Sequence, residues 1–202
     1  MAIFAICGFQ SSGKDTLAEH LVTKYGFKKL SFASILKDIV AIMFDWSRDK
    51  LEGLTKEDRQ WREEIDVWWS ESLNMTNLTP RYVLQYFGTE LFRVHFHQDI
   101  WLKVIEKQLS KHKNPNIVIT DCRFPNEMEM LTKYNAKIIH IHRNMPEWFT
   151  SYQLGNDDIE EVKKLHESEK AWIRNLPDYI IYNNGTIDEL YEKNTNLFNN
   201  VL

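Results

Sequence analysis

The sequence lacks several features that would place it in a specialised class of protein. It has only two cysteines, Cys7 and Cys122, and both lie in or at the ends of predicted buried strands, which indicates small core residues in a reducing cytosol rather than a disulfide. It has no excess of basic charge, since 25 Lys and Arg against 29 Asp and Glu give a net charge of −4. This balance argues against a long surface for nucleic acid. No apolar run approaches the roughly 18 residues of a membrane span, and no apolar leader follows a basic start. We therefore expect a cytoplasmic protein, in the host cytoplasm if it is viral, with neither nucleic acid nor a membrane as partner.

The residues that are present predict one globular domain over 1–202. The chain is 43% hydrophobic and 27% charged, without repeats or low-complexity tracts, and is long enough for a sizeable core. Short apolar runs alternate with helical patterns, which is typical of an α/β fold with a parallel sheet covered on both faces. The five predicted strands are 3–7, 28–32, 116–121, 136–143 and 178–182.

The first strand leads into a glycine-rich loop, Gly8 to Thr16, and a helix follows at once. The order of strand, glycine-rich loop and helix is the context that a phosphate-binding P-loop requires. Gly8 and Gly13 permit a tight turn whose backbone N–H groups point at phosphate oxygens, and the helix N-terminus favours the same anion. Lys14 adds a positive charge for the terminal phosphates. This stretch predicts a nucleoside triphosphate site rather than a chance match, and hence a P-loop NTPase fold of three layers.

One residue of the loop departs from the general P-loop pattern. Asp15 stands where a hydroxyl would bind Mg²⁺, and the hydroxyl comes one place later, at Thr16. The Asp15 carboxylate could hold Mg²⁺ through water or cap the helix N-terminus. Thr16 could bond a phosphate nearer the nucleoside. Nucleotide-monophosphate kinases commonly have this Gly-Lys-Asp-Thr order, so the departure points away from GTPases and motor ATPases.

A second candidate site lies on a predicted helix that begins at Thr79-Pro80, where a capping residue precedes a proline. Polar side chains follow at intervals of four, at Arg81, Gln85, Thr89 and Arg93. On one α-helix they would form a drifting stripe. A solvated face with ion pairs is the alternative, but the flanking positions are apolar, which favours a stripe that lines a cleft and binds an anion.

The third and fourth strands each end at charged residues. Asp121 closes one strand, Arg123 follows it, and Arg143 closes the next. Because ligands of open α/β sheets bind at the carboxyl ends of the strands, Asp121 is expected to face the P-loop and to reach Mg²⁺ through water. Arg123 and Arg143 are candidates for stabilising a migrating phosphoryl group. A buried structural pair of Asp121 and Arg123 is the alternative.

Two further segments have no clean strand or helix period. Residues 45–78 are polar and rich in tryptophan, which predicts an inserted helical flap whose indoles pack locally rather than stack on bases. Residues 144–176 are charged and helical, and their place after the fourth strand predicts either a mobile lid or solvated helices. The pairs His95/His97 and His140/His142 are not expected to bind a metal, because no cysteine or carboxylate lies at ligand spacing.

Seven segments together resemble the bacteriophage-type deoxynucleoside monophosphate kinases, which are P-loop nucleotide-monophosphate kinases. Their order and spacing are specific, although each alone is modest. The segments are SSGKDTLA at 11–18, SFASILK at 31–37, LEGLTKEDRQWREEID at 51–66, TPRYVLQYFGTELFR at 79–93, VITDCRFPNE at 118–127, HESE at 166–169 and IIYNNGTIDEL at 180–190.

The resemblance implies transfer of the ATP γ-phosphate to a deoxynucleoside monophosphate, which supplies deoxynucleotides for DNA synthesis. It also implies Mg²⁺ with ATP as the cofactor and often a homodimer. Carried over onto this chain, the ATP site comprises Gly8, Ser12, Gly13, Lys14, Asp15 and Thr16, and the acceptor site comprises Lys37, Arg81, Gln85 and Arg93. The catalytic candidates are Lys14, Asp121, Arg123 and Arg143, and the Mg²⁺ candidates are Asp15, Thr16 and Asp121.

Two other functions remain open at this point. A P-loop kinase of another phosphorylated metabolite would share every residue on the donor side, so that only the acceptor distinguishes it. A nucleotide-binding regulatory module without chemistry is a third possibility, against which Lys14, Asp121 and the two arginines of the stripe argue.

Overall fold

The computed structural model describes residues 2–111 and 116–199, apart from the side chains of Asn196 and Asn199. The described residues fall into two compact units, one within Met1–Ser31 and Ile105–Leu202 and the other within Phe32–Val104. In chain order the elements are β1 (Ile3–Cys7), α1 (Lys14–Tyr25), β2 (Lys28–Leu30), α2 (Ser34–Phe44), α3 (Arg48–Glu52), α4 (Lys56–Trp61), α5 (Val67–Ser72), α6 (Pro80–Gln85), a π-helix (Tyr86–Phe96), α7 (Ile100–Ser110), β3 (Ile117–Ile119), α8 (Pro125–Lys133), β4 (Lys137–His142), α9 (Phe149–Gln153), α10 (Glu160–Lys163), α11 (Glu167–Lys170), β5 (Tyr179–Tyr182) and α12 (Ile187–Asn199). No helix among these residues is both long and apolar enough to cross a membrane.

The first unit is built on a sheet of five parallel strands in the order β2-β3-β1-β4-β5. Every residue of β1 is buried, because this central strand has a neighbour on each side and helices on both faces. The predicted five-stranded parallel sheet is confirmed. Its carboxyl edge is where the loops after β1, β3, β4 and β5 emerge.

One face of the sheet is covered by α1 and α12, and α8 contacts β1 and β4. Phe4 of β1 packs against Phe27 and Phe198, with ring centroids 5.5 and 4.8 Å apart. Helix α1 ends at Gly26, whose positive φ of 66° lets its N–H bond back to the carbonyls of Leu21 and Val22. Gly26 thus caps the C-terminal end of α1.

The second unit contains the tryptophan-rich segment. The Trp46 indole donates to Asp66 Oδ2 at 2.8 Å, and the Trp69 indole donates to the Phe44 carbonyl at 3.0 Å. The Trp61 ring stands edge-on to Trp46 with centroids 6.1 Å apart. The expectation of local packing is confirmed for these indoles and also for Trp68, which is 64% exposed but stands edge-on to Trp69 with centroids 4.6 Å apart.

The helix that begins at Thr79 changes type along its length. Thr79 Oγ1 accepts the N–H of Tyr82 at 3.1 Å and Pro80 occupies the first turn, as predicted. The expectation of one α-helix through Arg93 is wrong, because α6 ends at Gln85 and continues as a π-helix. Gly88 lies within this π-helix, and an added Cβ there would lie 3.0 Å from Leu36 Cδ2.

Candidate active site

The loop between β1 and α1 leaves room that only glycines can leave. Gly8 has φ 153°, and a Cβ there would lie 2.6 Å from the Ile141 carbonyl oxygen and 2.8 Å from Ser12 Oγ. Gly13 has φ 105°, and its Cβ would collide with the Asn183 amide. Side chains rarely adopt these backbone angles, so both positions need glycine. The buried Ser12 Oγ has no hydrogen-bond partner within residues 2–111 and 116–199, which leaves one polar atom inside the loop to meet a phosphate oxygen.

Lys14 is the first residue of α1, and its ammonium lies within the loop. Nζ donates to the carbonyls of Gly8 at 2.9 Å and Phe9 at 2.6 Å. The pKa of the Lys14 ammonium is lowered to about 8, chiefly by burial and in the same direction by the nearby cation of Arg123. The group is therefore a desolvated cation near neutral pH, which raises its attraction for a phosphate.

Asn183 supports the loop from the end of β5. Its Nδ2 donates to the Ser12 carbonyl at 2.8 Å, and its own N–H donates to the His142 carbonyl at 2.8 Å. The side chain is buried. Asn183 is not among the site residues predicted from the sequence, and the tight packing of its amide against Gly13 is the contact that identifies its role.

Asp15 faces the ends of β2 and β3 rather than the start of its own helix. Its Oδ1 accepts from Lys29 Nζ at 2.7 Å and from Thr120 Oγ1 at 3.3 Å. Burial tends to raise the pKa of the Asp15 carboxyl, but the hydrogen bond and charge of Lys29 outweigh it and hold the pKa below its usual value. The capping alternative is wrong, because the cap residue of α1 is Gly13 and no side chain caps it. Thr16 is partly buried in the same first turn.

Asp121 and Arg123 follow β3, and each has a partner on another segment. Asp121 Oδ2 accepts from Ser31 Oγ at 2.7 Å. The Arg123 guanidinium lies 3.5 Å from Ser168 Oγ and 3.6 Å from Glu169 Oε1. These contacts join the segment after β3 to residues 166–169, two of the segments that carry the family resemblance.

Glu127 fixes the backbone from which Arg123 projects. Its Oε2 accepts the N–H of Arg123 at 2.7 Å and that of Phe124 at 3.0 Å. The Glu127 side chain is buried, so both bonds are protected from water. Glu127 is not among the site residues predicted from the sequence, although a glutamate in the first turn of a helix that begins at Pro125 is a recognisable capping pattern.

Arg143 is exposed directly after β4, at the same edge of the sheet as the loop. The segment that follows it contains three short helices, α9 to α11. Phe9 of the loop packs edge-on against Trp148, Phe149 and Trp172, with ring centroids 5.3–6.0 Å apart. Two parts of the segment 144–176, at Trp148-Phe149 and at Trp172, thus contact the loop through an aromatic cluster.

In the second unit, Lys37 belongs to a chain of ion pairs. Its Nζ lies 2.9 Å from Glu52 Oε1, and Arg48 bridges Glu52 and Asp38 with bonds of 2.6 Å each. Burial tends to raise the pKa of Glu52, but the charges of Lys37 and Arg48 lower it to about 2. Lys37 is therefore held in place by Glu52.

The stripe predicted on the helix after Thr79 is also in the second unit. Arg81, Gln85, Thr89 and Arg93 are all half-buried. Arg81 Nε lies 3.3 Å from Glu63 Oε1, and the backbone N–H of Arg81 donates to the Arg62 carbonyl at 2.9 Å. The candidate acceptor residues thus share one unit, while Gly8 to Thr16, Asp121, Arg123 and Arg143 belong to the other.

The histidine pair of β4 is buried against aromatic rings. Neither nitrogen of His140 has a hydrogen-bond partner among the residues that the structure describes, and its ring stands edge-on to Trp172 with centroids 4.9 Å apart. Within residues 2–111 and 116–199, no cluster of three or more His, Cys, Asp or Glu side chains is arranged to hold a metal. Asp15 and Asp121 are nevertheless two oxygen donors at one edge of the sheet.

Comparison with known proteins gives consistent matches. The model of a family described as deoxynucleotide monophosphate kinase matches residues 62–194. A protein of Acanthamoeba polyphaga mimivirus, named provisionally as a deoxynucleotide monophosphate kinase, is 29% identical over 96% of this chain and 94% of its own. The deoxynucleoside-5′-monophosphate kinase of Escherichia phage T5 is 47% identical over 29% of this chain and 23% of its own.

Among solved structures, dephospho-CoA kinase from Campylobacter jejuni is similar over 98% of this chain and 96% of its own. The TM-score is 0.53 and the identity 18%, so this likeness concerns the fold alone. The predicted three-layer α/β fold of P-loop kinases and the resemblance drawn from the seven sequence segments are both confirmed.

Proposed function

The chain belongs to the deoxynucleotide monophosphate kinase family, and on that premise we propose that it transfers the γ-phosphate of ATP to a deoxynucleoside monophosphate. The products are ADP and a deoxynucleoside diphosphate. The observation that supports this proposal most directly is the loop after β1, which needs glycine at two positions, contains the Lys14 ammonium and buries Ser12 Oγ without a hydrogen-bond partner among the described residues.

We assign the donor nucleotide to the first unit. Backbone N–H groups of the loop and the N-terminus of α1 would bind its phosphates, with Ser12 Oγ, Gly13 and Thr16 contributing. On phosphate binding, Lys14 Nζ would exchange the carbonyls of Gly8 and Phe9 for phosphate oxygens. That exchange replaces two neutral acceptors by charged ones, which a partly desolvated ammonium favours.

The carboxylates at the edge of the sheet fit a magnesium ion. Mg²⁺ prefers oxygen ligands and keeps several waters, and Asp15, Thr16 and Asp121 supply oxygens on neighbouring segments. Lys29 and Ser31 already hold the two carboxylates in place. When bound, Mg²⁺ would supply positive charge to the phosphate oxygens.

We assign the acceptor to the second unit, where Lys37, Arg81, Gln85 and Arg93 would bind its phosphate and base. Guanidinium groups bind a phosphate through two parallel hydrogen bonds, which fixes its orientation. In the transfer, an oxygen of the acceptor phosphate forms a bond to the γ-phosphorus as the bond to the leaving ADP oxygen breaks. Such a step needs positioning and charge neutralisation more than covalent help.

Arg123 and Arg143 are the proposed groups that neutralise charge on the migrating phosphoryl group. The contacts of Arg123 with Ser168 and Glu169 hold its guanidinium in a partly exposed position. A mobile lid formed by residues 144–176 would exclude water, because hydrolysis of ATP otherwise competes with transfer.

The deciding experiment measures ADP release with a panel of acceptors: dGMP, dTMP, dCMP, AMP and a phosphorylated metabolite that is not a nucleotide. We expect deoxynucleoside monophosphates to be preferred. Preference for the non-nucleotide phosphate would identify another P-loop small-molecule kinase, and no release with any acceptor would indicate a module without chemistry.

Two variants assign the donor and acceptor sites. Lys14→Ala should abolish turnover, whereas Lys24→Ala on the same helix should not, because the Lys24 ammonium bonds Thr195 Oγ1 on the surface. Arg81→Ala should raise the KM for the acceptor about tenfold or more while the KM for ATP stays within about twofold. Lys56→Ala, an exposed position on α4, is the control. An unchanged acceptor KM in Arg81→Ala would place the acceptor elsewhere.

The proposed partners are ATP with Mg²⁺, a deoxynucleoside monophosphate and a second copy of the chain, with the cytoplasm, of the host if the chain is viral, as the compartment. Exposed apolar side chains on the second unit support self-association, among them Ile42 at 83% and Phe96 at 70% exposure. Sedimentation over a range of concentrations tests the homodimer.

A further inference from the structure

The π-helix that follows α6 is unusually long. It covers Tyr86–Phe96, and its last turn closes with the N–H of His97 on the Phe92 carbonyl at 2.8 Å, five residues back. In most proteins this geometry is confined to a single turn and often lies at a functional site. A stretch of 11 residues therefore needs a structural cause.

That cause is the pairing of Gly88 with Trp101. The Trp101 indole N–H donates to the Gly88 carbonyl at 2.8 Å. A side chain from α7 thus inserts at a carbonyl that would otherwise accept only from a backbone N–H of its own helix. Trp101 is 4% exposed, and its ring packs on Phe92 with centroids 5.2 Å apart. The absence of a side chain at Gly88 also admits Leu36, which would lie 3.0 Å from an added Cβ.

The π-helix changes which side chains share a face. In an α-helix, residues four apart are offset by about 40°, so Arg81 and Arg93 would end up about 120° apart. A π-helix has roughly 4.4 residues per turn, so a step of four residues turns back by about 30° instead. After Gln85 the offset therefore reverses, and Thr89 and Arg93 return to the face that carries Arg81.

We propose that Trp101 is a positioning residue for the acceptor, because its bond to Gly88 maintains the winding that brings Arg93 onto the same face as Arg81. The proposal rests on the proposed function, which assigns the acceptor to this stripe. The ligand chemistry is that of a nucleoside monophosphate, whose phosphate dianion would be shared by two guanidinium groups. The half-buried state of all four stripe residues agrees with one common face.

The test replaces Trp101 by phenylalanine, which keeps an aromatic ring and removes the N–H. We expect Trp101→Phe to raise the KM for the acceptor about fivefold to tenfold, with the KM for ATP within about twofold. Amide hydrogen exchange over residues 86–96 should accelerate as well. Trp69→Phe is the matched control, because Trp69 also donates its indole N–H to a backbone carbonyl in the same unit, that of Phe44. It should change neither readout.

A double variant separates positioning from general destabilisation. If Trp101 acts through Arg93, Trp101→Phe should add less than about twofold to the acceptor KM of Arg93→Ala. The inference would be overturned if the acceptor KM of the double variant rose by the product of the two single-variant increases. It would also be overturned if amide hydrogen exchange over residues 86–96 kept the wild-type rate in Trp101→Phe. Neither result would contradict the kinase function. A wild-type protein that phosphorylates no monophosphate would overturn the proposed function itself, and the exchange rates would still report on the Trp101–Gly88 bond.

Discussion

The buried histidine of β4 predicts that the chain loses stability in mild acid. His140 is 0% exposed, and neither of its ring nitrogens has a hydrogen-bond partner in the part of the chain that the structure describes. The pKa of the His140 imidazole is lowered from 6.5 to about 4, chiefly by burial and in the same direction by the neighbouring His142. The folded chain thus resists a proton that the unfolded chain accepts between pH 6.5 and pH 4. The free energy of unfolding must fall as the pH falls through this range.

The size of the effect follows from the two pKa values. A pKa of about 4 in place of 6.5 makes the protonated ring about 3 kcal/mol less stable in the folded chain than in the unfolded chain. At pH 5 the folded imidazole is still mostly neutral, and the stability lost relative to pH 7.5 is about 2 kcal/mol. Burial lowers the pKa of His142 too, so its contribution has the same sign.

The experiment compares urea unfolding of the wild type and of His140→Leu at pH 7.5, 6.5, 5.5 and 5.0, followed by far-ultraviolet circular dichroism. Leucine removes the titrating ring and two unpaired nitrogens at similar volume, so we expect stability within about 1.5 kcal/mol of wild type at pH 7.5. The free energy of unfolding of the variant minus that of the wild type should be about 2 kcal/mol larger at pH 5 than at pH 7.5. His95→Gln, at an exposed position, should follow the wild type at every pH. A difference between wild type and His140→Leu that does not change with pH would refute the reasoning.

Two further predictions concern the phosphate loop. Because the pKa of Lys14 is about 8 in the unliganded chain, its charge is present below pH 8 and lost above it. Calorimetry should therefore show ATP binding about tenfold weaker at pH 9 than at pH 7, and the control Lys24→Ala should keep this dependence. Equal affinities at the two pH values would contradict a role for the Lys14 charge. Asn183→Ala removes the side chain that donates to the Ser12 carbonyl, so it should raise the KM for ATP about tenfold and leave the acceptor KM unchanged. Asn184→Ala, at the next and exposed position, should change neither KM. Equal effects of the two variants would show that the Asn183–Ser12 bond does not support ATP binding.

The parts of the fold that depend on local sequence could be predicted. The order of strand, glycine loop and helix over Ile3 to Tyr25 needs only neighbouring residues, and so do the caps at Thr79 and Gly26. The sheet followed from the same reasoning, because apolar runs separated by helices must pair in parallel.

The remainder depends on contacts between distant positions. Asn183 and Ser12 are 171 residues apart, so the local sequence after β5 does not show that the Asn183 side chain supports the loop. The π-helix likewise depends on an indole 13 residues beyond Gly88, which no helical period reveals. Lys37 is implied by the family resemblance, but its pairing with Glu52 depends on how α2 and α3 pack.

The aromatic cluster around Phe9 also makes the chain its own optical reporter. Phe9 belongs to the loop proposed for ATP phosphates, and its ring touches the indoles of Trp148 and Trp172. Indole emission depends on the packing and polarity around the ring, so any nucleotide that moves Phe9 alters the surroundings of two fluorophores at once. Occupancy of the loop could thus be followed by intrinsic fluorescence, in the unmodified protein and without a coupled enzyme.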